Sequence, residues 1–359
     1  MPAQILSACA DEERWNEALR ELPFPLRDVY ALPEYIRLHC FEPGTEGLLF
    51  TYSKGAELWC YPFLLQPIPT IDGYPLPDAS CDISAPYGYG GPLATTTDTR
   101  FLRCAHAAFA EWCHARGVVA EFARCHPLLE THRWLDPQTQ LVFDRKTVSL
   151  NLLAFDPDHL PFDPDTRYML RRAQRAGVSV QALSARDNIS RFIELYRENM
   201  QRLEADAFYF FDDRYFAGLA NLVEKAGWLL VAQRDGVWCA AAILLRGATF
   251  LHYHLSASDR RIRVPGVNNL VLLTAAQVGT QHGLHTLHLG GGRSRMPEDS
   301  LLRFKARMAT DSHDFYVGRR IHDTAAYDAL RAIWRRNYPS LASRYGDRVL
   351  FYRYRTTAR

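Results

Sequence analysis

Apolar residues recur at three- and four-residue spacing over Asp11–Arg20, over 97–116, and as an unbroken stripe through Ile189, Phe192, Ile193, Tyr196, Met200 and Leu203. That period predicts helices. Further helical patterns cover 166–177, closed by Gly177 in the usual terminating position, then a segment ending near Ala226, then 267–282 and the stretch from Asp299. Short runs rich in β-branched and aromatic residues predict strands at 47–52 and 57–65 (across the turn Ser53–Ala56), 118–124, 146–154, 228–234, 237–245, 249–256, 284–289 and 314–318. Between Pro67 and Pro92 the chain is crowded with Pro, Gly and Tyr, which predicts a long ordered loop. The segment 156–165, rich in Asp and Pro, reads as a linker. It separates a first domain, 1–155, from a second, 156–321, whose order is helix, helix, three strands, helix, strand, helix, strand. The first half repeats a looser version of the same order.

Composition narrows the class. The chain has 359 residues, of which 48% are hydrophobic and 23% charged, ample for two ordinary cores and unlike a disordered chain. The formal net charge is only +2, yet Arg331–Arg359 holds eight arginines against one acidic residue, Asp347. Such an end is either a solvated face or a surface for a phosphate-bearing partner. Eight cysteines are scattered without a C-x-x-C pair or a zinc-like spacing, so reduced thiols are expected. The first residues lack a basic start followed by an apolar run, and no stretch approaches the roughly 18 apolar residues of a membrane span, so a cytoplasmic location is the expectation.

Candidate chemistry centres on 282–308, HGLHTLHLGGGRSRMPEDSLLRFKARM. A strand delivering its carboxyl end into Gly290–Gly292 before a helix is where α/β proteins form ligand crevices. On a wheel of roughly 100° per residue, Phe304, Met308, Leu301, Lys305, Ala309 and Leu302 fall in one arc, with Arg303 and Arg307 pointing away. A lysine inside an apolar arc must reach a cavity, an acid such as Glu298 or Asp299, or a ligand. Arg167, Arg171 and Arg175 recur every four residues with Arg172 beside them: a solvated face or a clamp on phosphates. In the proline-rich loop, Asp82, Ser84, Tyr87 and Tyr89 are able to bind a polar ligand. His252 and His254 share a strand face, whereas His285 and His288 alternate faces, and no metal site is expected.

The element order of the second half, with Arg263-Val-Pro-Gly266-Val-Asn268-Asn before a helix, resembles the GNAT acyltransferases and their Arg/Gln-x-x-Gly-x-Gly/Ala pyrophosphate loop. Asn268 stands where that loop has its last small residue. Two such halves, with DISAPYGYGGP in the first and MQRLEADAFYFF, LHYHLSAS, LHLGGG and DSLLRFKARM in the second, are similar to the FemABX aminoacyltransferases. The resemblance implies two tandem GNAT-like α/β domains, with a final helix and strand (322–357) returning to the first. It also implies transfer of an aminoacyl group from aminoacyl-tRNA to an amine acceptor such as a cell-wall precursor. An acyl-coenzyme A donor, or a non-catalytic role in polysaccharide assembly, are the alternatives, and no resident cofactor is implied. Phe304 and Lys305 match the family's Phe-Lys pair, and Arg202 is the counterpart of an arginine that contacts the acceptor's phosphates.

Amide formation requires donor and acceptor to be oriented, the carbonyl oxyanion to be stabilised, and a proton to be taken from the ammonium nucleophile. Lys305 suits the oxyanion or a phosphate. The base is sought among His254, Tyr253, Asp82 or the substrate itself. Arg171, Arg172, Arg175, Arg263, Gly266 and Asn268 form the expected phosphate site, and Tyr87, Tyr89, Arg202, Tyr253 and Arg293 the expected substrate contacts.

Overall fold

A computed structural model of the chain describes residues 2–71, 80–262 and 264–355, the side chain of Ala207 excepted. In chain order the elements are β1 (Ala3–Ser7), α1 (Glu12–Glu21), α2 (Pro33–Arg37), β2 (Glu46–Lys54), β3 (Glu57–Pro67), β4 (Cys81–Ser84), β5 (Leu93–Ala94), α3 (Thr99–Ala115), β6 (Val118–Arg124) and β7 (Gln140–Asn151). Next come α4 (Pro164–Arg175), β8 (Ser179–Leu183), α5 (Ala185–Arg202), α6 (Asp213–Ala226), β9 (Gly227–Arg234), β10 (Val237–Arg246), β11 (Phe250–Ser258) and α7 (Val267–Gln281). The chain closes with β12 (Thr286–Gly291), α8 (Ser300–Ala306), β13 (Asp311–Ile321), α9 (Thr324–Asn337) and α10 (Pro339–Tyr345). Most helices start where a short polar side chain satisfies a first-turn N–H. Asp98, Asp163, Ser184, Asp212, Asp299 and Asp323 do this for α3, α4, α5, α6, α8 and α9. The exception that matters below is α7, which begins on Gly266 with no side-chain cap.

Two compact units emerge. One comprises Met1–Pro23, His39–Asp144 and Tyr316–Arg359; the other comprises Phe24–Leu38 and Arg145–Phe315. The early segment Phe24–Leu38 therefore builds the second unit, and the sequence pattern had no means of showing this. It is held by contacts with distant chain, among them the Ala248 N–H donating to the Arg27 carbonyl at 2.8 Å.

In the first unit the strand order is β1-β2-β3-β4-β6-β13, with β5 on β3, antiparallel except for the β4/β6 pair. In the second it is β7-β12-β11-β10-β9-β8, antiparallel except for β11/β12. Strand β10 lies in the middle, buried from Trp238 to Leu245. Its run Ala240–Ala242 is small enough to seat α7, whose Leu270–Leu273 and Ala275–Ala276 join the same core. This mixed α/β architecture has each half repeating the other's parallel pair.

Residues 322–355 return to the first unit, but as helices. After α9 the chain forms α10, started by Pro339, and a single tight turn at Phe351–Arg353, with no final strand among the described residues. The aromatic run at 350–354, which suggests a strand by composition, instead packs Phe351 and Tyr352 against Tyr327 and Trp334.

Candidate active site

Strands β11 and β12 pair in parallel only where Phe250, Leu251 and His252 meet Thr286, Leu287 and His288. Beyond that register β11 continues to Ser258 along β10, and β12 continues to Gly291 along β7. The two strands part, leaving a gap whose edges are Tyr253 onward on one side and Leu289–Gly291 on the other. Each edge strand keeps its outer partner, so the gap persists without unfolding either.

Lys305 stands at this gap. Its Nζ donates to the Gly291 carbonyl at 2.9 Å and lies 5.9 Å from the centre of the Tyr253 ring, so one ammonium touches both edges. The side chain is buried, and no carboxylate forms an ion pair with it among the described residues. Asp299, the nearest acid in sequence to do so, is already occupied. One of its oxygens accepts from the N–H groups of Leu301 and Leu302, and the other from Arg293, Ser294 and the Ser294 hydroxyl. Burial pushes the Lys305 pKa down to about 8, with Asp299 pulling it up and Arg145 pushing it further down. An ammonium carries three donors, so Lys305 retains capacity for a ligand. Phe304, partly buried, packs on the core beneath α8.

The three glycines have structural causes. Gly290 adopts φ +75° at an irregularity in the β12/β7 register. A Cβ on Gly291 would fall 2.8 Å from the Lys146 carbonyl, and one on Gly292 would collide with the Asp299 carboxylate. These glycines let the end of β12 sit flush against its neighbours and present two carbonyls to cations: Gly291 to Lys305, and Gly292 to Arg145 at 2.8 Å. Arg145 carried no periodic signal in the sequence, and only strand pairing brings it here.

Following β11, α7 opens on Gly266 at φ +85°, its back against the Met169 carbonyl of α4. The N–H groups of Asn268 and Asn269 in its first turn have no hydrogen-bond acceptor among the described residues. Uncapped first-turn N–H groups form an anion site. Asn268 is half-buried there, while Asn269 turns inward and donates to the Met308 sulfur at 3.4 Å. On α4, Arg171, Arg172 and Arg175 are exposed and have no acidic partner among the described residues, whereas Leu170 and Ala173 face the core. Arg263 lies outside the described residues.

Other expected site residues are placed elsewhere. His254 is buried with both ring nitrogens engaged, Nδ1 with the Tyr30 hydroxyl at 3.2 Å and Nε2 with the Tyr215 hydroxyl at 2.9 Å. An irregularity in the β10/β11 register lets Tyr253 face α8 and hydrogen-bond with Ser256, while His252 and His254 both face Tyr30. Burial raises the Tyr253 pKa to about 12. Asp82, fully buried in the first unit, accepts two hydrogen bonds from Arg353, at 2.7 and 2.9 Å, and clamps the returning end of the chain to β4. Burial raises its pKa, with Arg353 opposing.

Tyr89 packs edge-on to His126 at 6.1 Å in that same unit. Tyr87 is half-buried in the same loop, which Gly90 ties to Arg124 and His126 at 2.8 Å each. Arg202 donates to Asn199 and lies exposed; burial and the neighbouring Arg260 lower its pKa. Arg293 is exposed in the loop after the glycines and lends its N–H to Asp299.

The corresponding gap in the first unit is closed. There β4 and β6 pair along Cys81–Ser84, and a bridge between Gly90 and Cys125 continues the pairing to the end of β6. The helix that follows, α3, is capped by Asp98, whose carboxylate accepts from Arg100 and Phe101 and so fills the place an anion would take. Only the second unit keeps an open parallel seam followed by an uncapped helix.

Residues 164–305 match the family described as the acetyltransferase (GNAT) domain. The fold is that of the tandem GNAT proteins. FemX shares it with a TM-score of 0.68 at 14% identity, covering 92% of this chain and 99% of that one. The L-PGS structure from Bacillus licheniformis gives 0.57 at 13% identity, with 86% and 92% covered. The tandem GNAT protein from the clavulanic acid biosynthesis pathway gives 0.50 at 12% identity, with 88% and 98% covered. Among curated protein sequences none matches this one. The FemABX resemblance read from the motifs thus agrees with the structure at the level of fold. No helix among the described residues is long and apolar enough to cross a membrane.

Proposed function

We propose that the second unit is an N-acyltransferase site that moves an aminoacyl group from aminoacyl-tRNA to an amine acceptor of the cell-wall precursor type. The observation that carries this reading is Lys305, a buried cation with no carboxylate partner among the described residues, set across the mouth of the β11/β12 gap. A carbonyl lying in the gap would develop negative charge beside that ammonium in the transition state, where burial makes the interaction strong. Phosphates of the donor would rest on the first turn of α7 and the exposed Arg171, Arg172 and Arg175 of α4. FemX and L-PGS among the structural relatives favour the aminoacyl reading over simple acetyl transfer.

The uncapped start of α7 also suits the pyrophosphate of acyl-coenzyme A, which makes that donor the second reading. Either way no resident cofactor is involved, because donor and acceptor supply every reacting atom. The test is incubation of the protein with a mixed pool of radiolabelled aminoacyl-tRNA, or with acetyl-coenzyme A, and muramyl-pentapeptide precursors or simple diamines as acceptors. Label appearing in an amide, and abolished by ribonuclease pretreatment of the donor, supports the lead reading. Ribonuclease-resistant transfer that needs coenzyme A thioester overturns it in favour of the second.

A further inference from the structure

At the apex of the gap, on the face away from Lys305, lies a buried polar row that the acyl-transfer roles above leave unused. His252 of β11 and His288 of β12 stand opposite each other in the last parallel register before the strands part. His252 Nε2 is 2.9 Å from Asp28 Oδ2, and His252 Nδ1 is 3.4 Å from His288 Nδ1, with the rings crossed at 88°. Across the next ladder Ser149 of β7 faces His288, and the Ser149 Oγ is 2.8 Å from His313 Nε2 on β13. Asp28, His252, His288 and Ser149 are buried; His313 is half-exposed.

The carboxylate is seated with some care. Its Oδ1 accepts from the Tyr30 N–H at 3.2 Å, and any side chain on Gly247 would collide with its Oδ2. The Tyr30 ring covers His252 at 4.7 Å, and His254 lies beyond it, held neutral-compatible between two tyrosine hydroxyls.

We propose that the His252–His288 pair, anchored by Asp28, takes the proton that the acceptor ammonium must lose, and passes it through Ser149 to His313. Asp28 accepts the His252 Nε2–H, which leaves Nδ1 bare to accept from His288 Nδ1–H and leaves His288 Nε2 as the basic atom. A proton taken there makes an imidazolium that shifts along the pair toward the carboxylate, which stabilises it. The freed amine lone pair then attacks the donor carbonyl and the C–N bond forms. When the C–O bond to the tRNA ribose (or the C–S bond of a thioester) breaks, the second amine proton leaves with that oxygen or sulfur. One proton per turnover remains, and the relay carries it out. Asp28 acts here as a positioning residue through His252.

This proposal rests on the transferase reading, so its test has one arm that needs no turnover. In ¹⁵N-histidine-labelled full-length protein, Asp28→Asn is expected to move the ring-nitrogen signals of both His252 and His288, and unchanged His288 signals overturn the relay. In the transfer assay with the donor identified above, His288→Gln is expected to lower kcat on the order of 10²-fold with KM for donor little changed, to remove the acidic limb of the pH–rate profile, and to regain rate with added imidazole. Asp28→Asn should move that limb to lower pH, since loss of the carboxylate lowers the histidine pKa. A merely structural pair would leave the limb in place in folded His288→Gln and His252→Gln proteins, and that result overturns the proposal. Absence of transfer from either donor counts against the transferase reading, and the relay then stands or falls on the nitrogen signals.

Discussion

At Lys305 the protein carries a burial cost that a purely structural residue would not require. Its pKa falls from the ordinary 10.5 to about 8 because burial disfavours the charged form. Between those values the unfolded chain binds more protons than the native one, so the penalty is fully present below about pH 8 and fades as pH rises toward 10.5. Lys305→Met is therefore expected to be more stable than the parent at pH 7, by on the order of 1–3 kcal/mol. Urea unfolding at pH 7 and pH 10 checks both the sign and the shrinkage of the difference. In the transfer assay the same variant should lose at least about 10²-fold in kcat, and the parent's rate should fall as pH rises through about 8, where Lys305 loses its charge. Lys305→Arg, which stays charged, should show no such fall, whatever rate it retains.

At the scale of elements, the chain spends its glycines where backbones meet. Gly266 and Gly177 both lie at positive φ, +85° and +75°, but only Gly266 abuts another backbone, the Met169 carbonyl of α4; around Gly177 there is open space. Gly177→Ala should cost about 1–2 kcal/mol, the conformational penalty alone. Gly266→Ala should cost clearly more and weaken donor binding, because α4 and α7 must move apart to admit the methyl group. Thermal unfolding of the two variants side by side checks this. Helix α8 shows what pattern reading captures and what it misses. The wheel placed Lys305 among apolar neighbours correctly, but its partner, the Gly291 carbonyl, was invisible because backbone acceptors leave no mark in composition.

At the scale of the whole molecule, two halves with one element order have taken different roles. The first unit closes its parallel seam with the Gly90–Cys125 bridge and caps α3 with Asp98; the second leaves the seam open and α7 uncapped. Calorimetric titration should accordingly find one donor site per chain. Glutamate at Arg171, Arg172 and Arg175 should abolish that binding while changing stability by no more than about 0.5 kcal/mol, since these side chains are solvated. Arg353→Met, in contrast, strands the fully buried Asp82 without its partner and should cost about 3–5 kcal/mol without touching the donor site. Chemical denaturation of the two variants separates the roles.

The sequence by itself determined the periodic elements, the paired α/β order and the placing of Lys305 in an apolar arc, because helix and strand periods and glycine positions are local properties of the chain. It also exposed the basic stripe of α4 and the uncapped turn at Gly266. Tertiary structure decided the rest. Asp82 became half of a buried ion pair and His254 a bridge between two tyrosines, while Arg145 reached Gly292 and Phe24–Leu38 joined the second unit to set Asp28 on His252. Each of those outcomes depends on residues more than a hundred positions apart being brought within hydrogen-bond reach, and no local period of the sequence encodes which distant partner a buried polar group will meet.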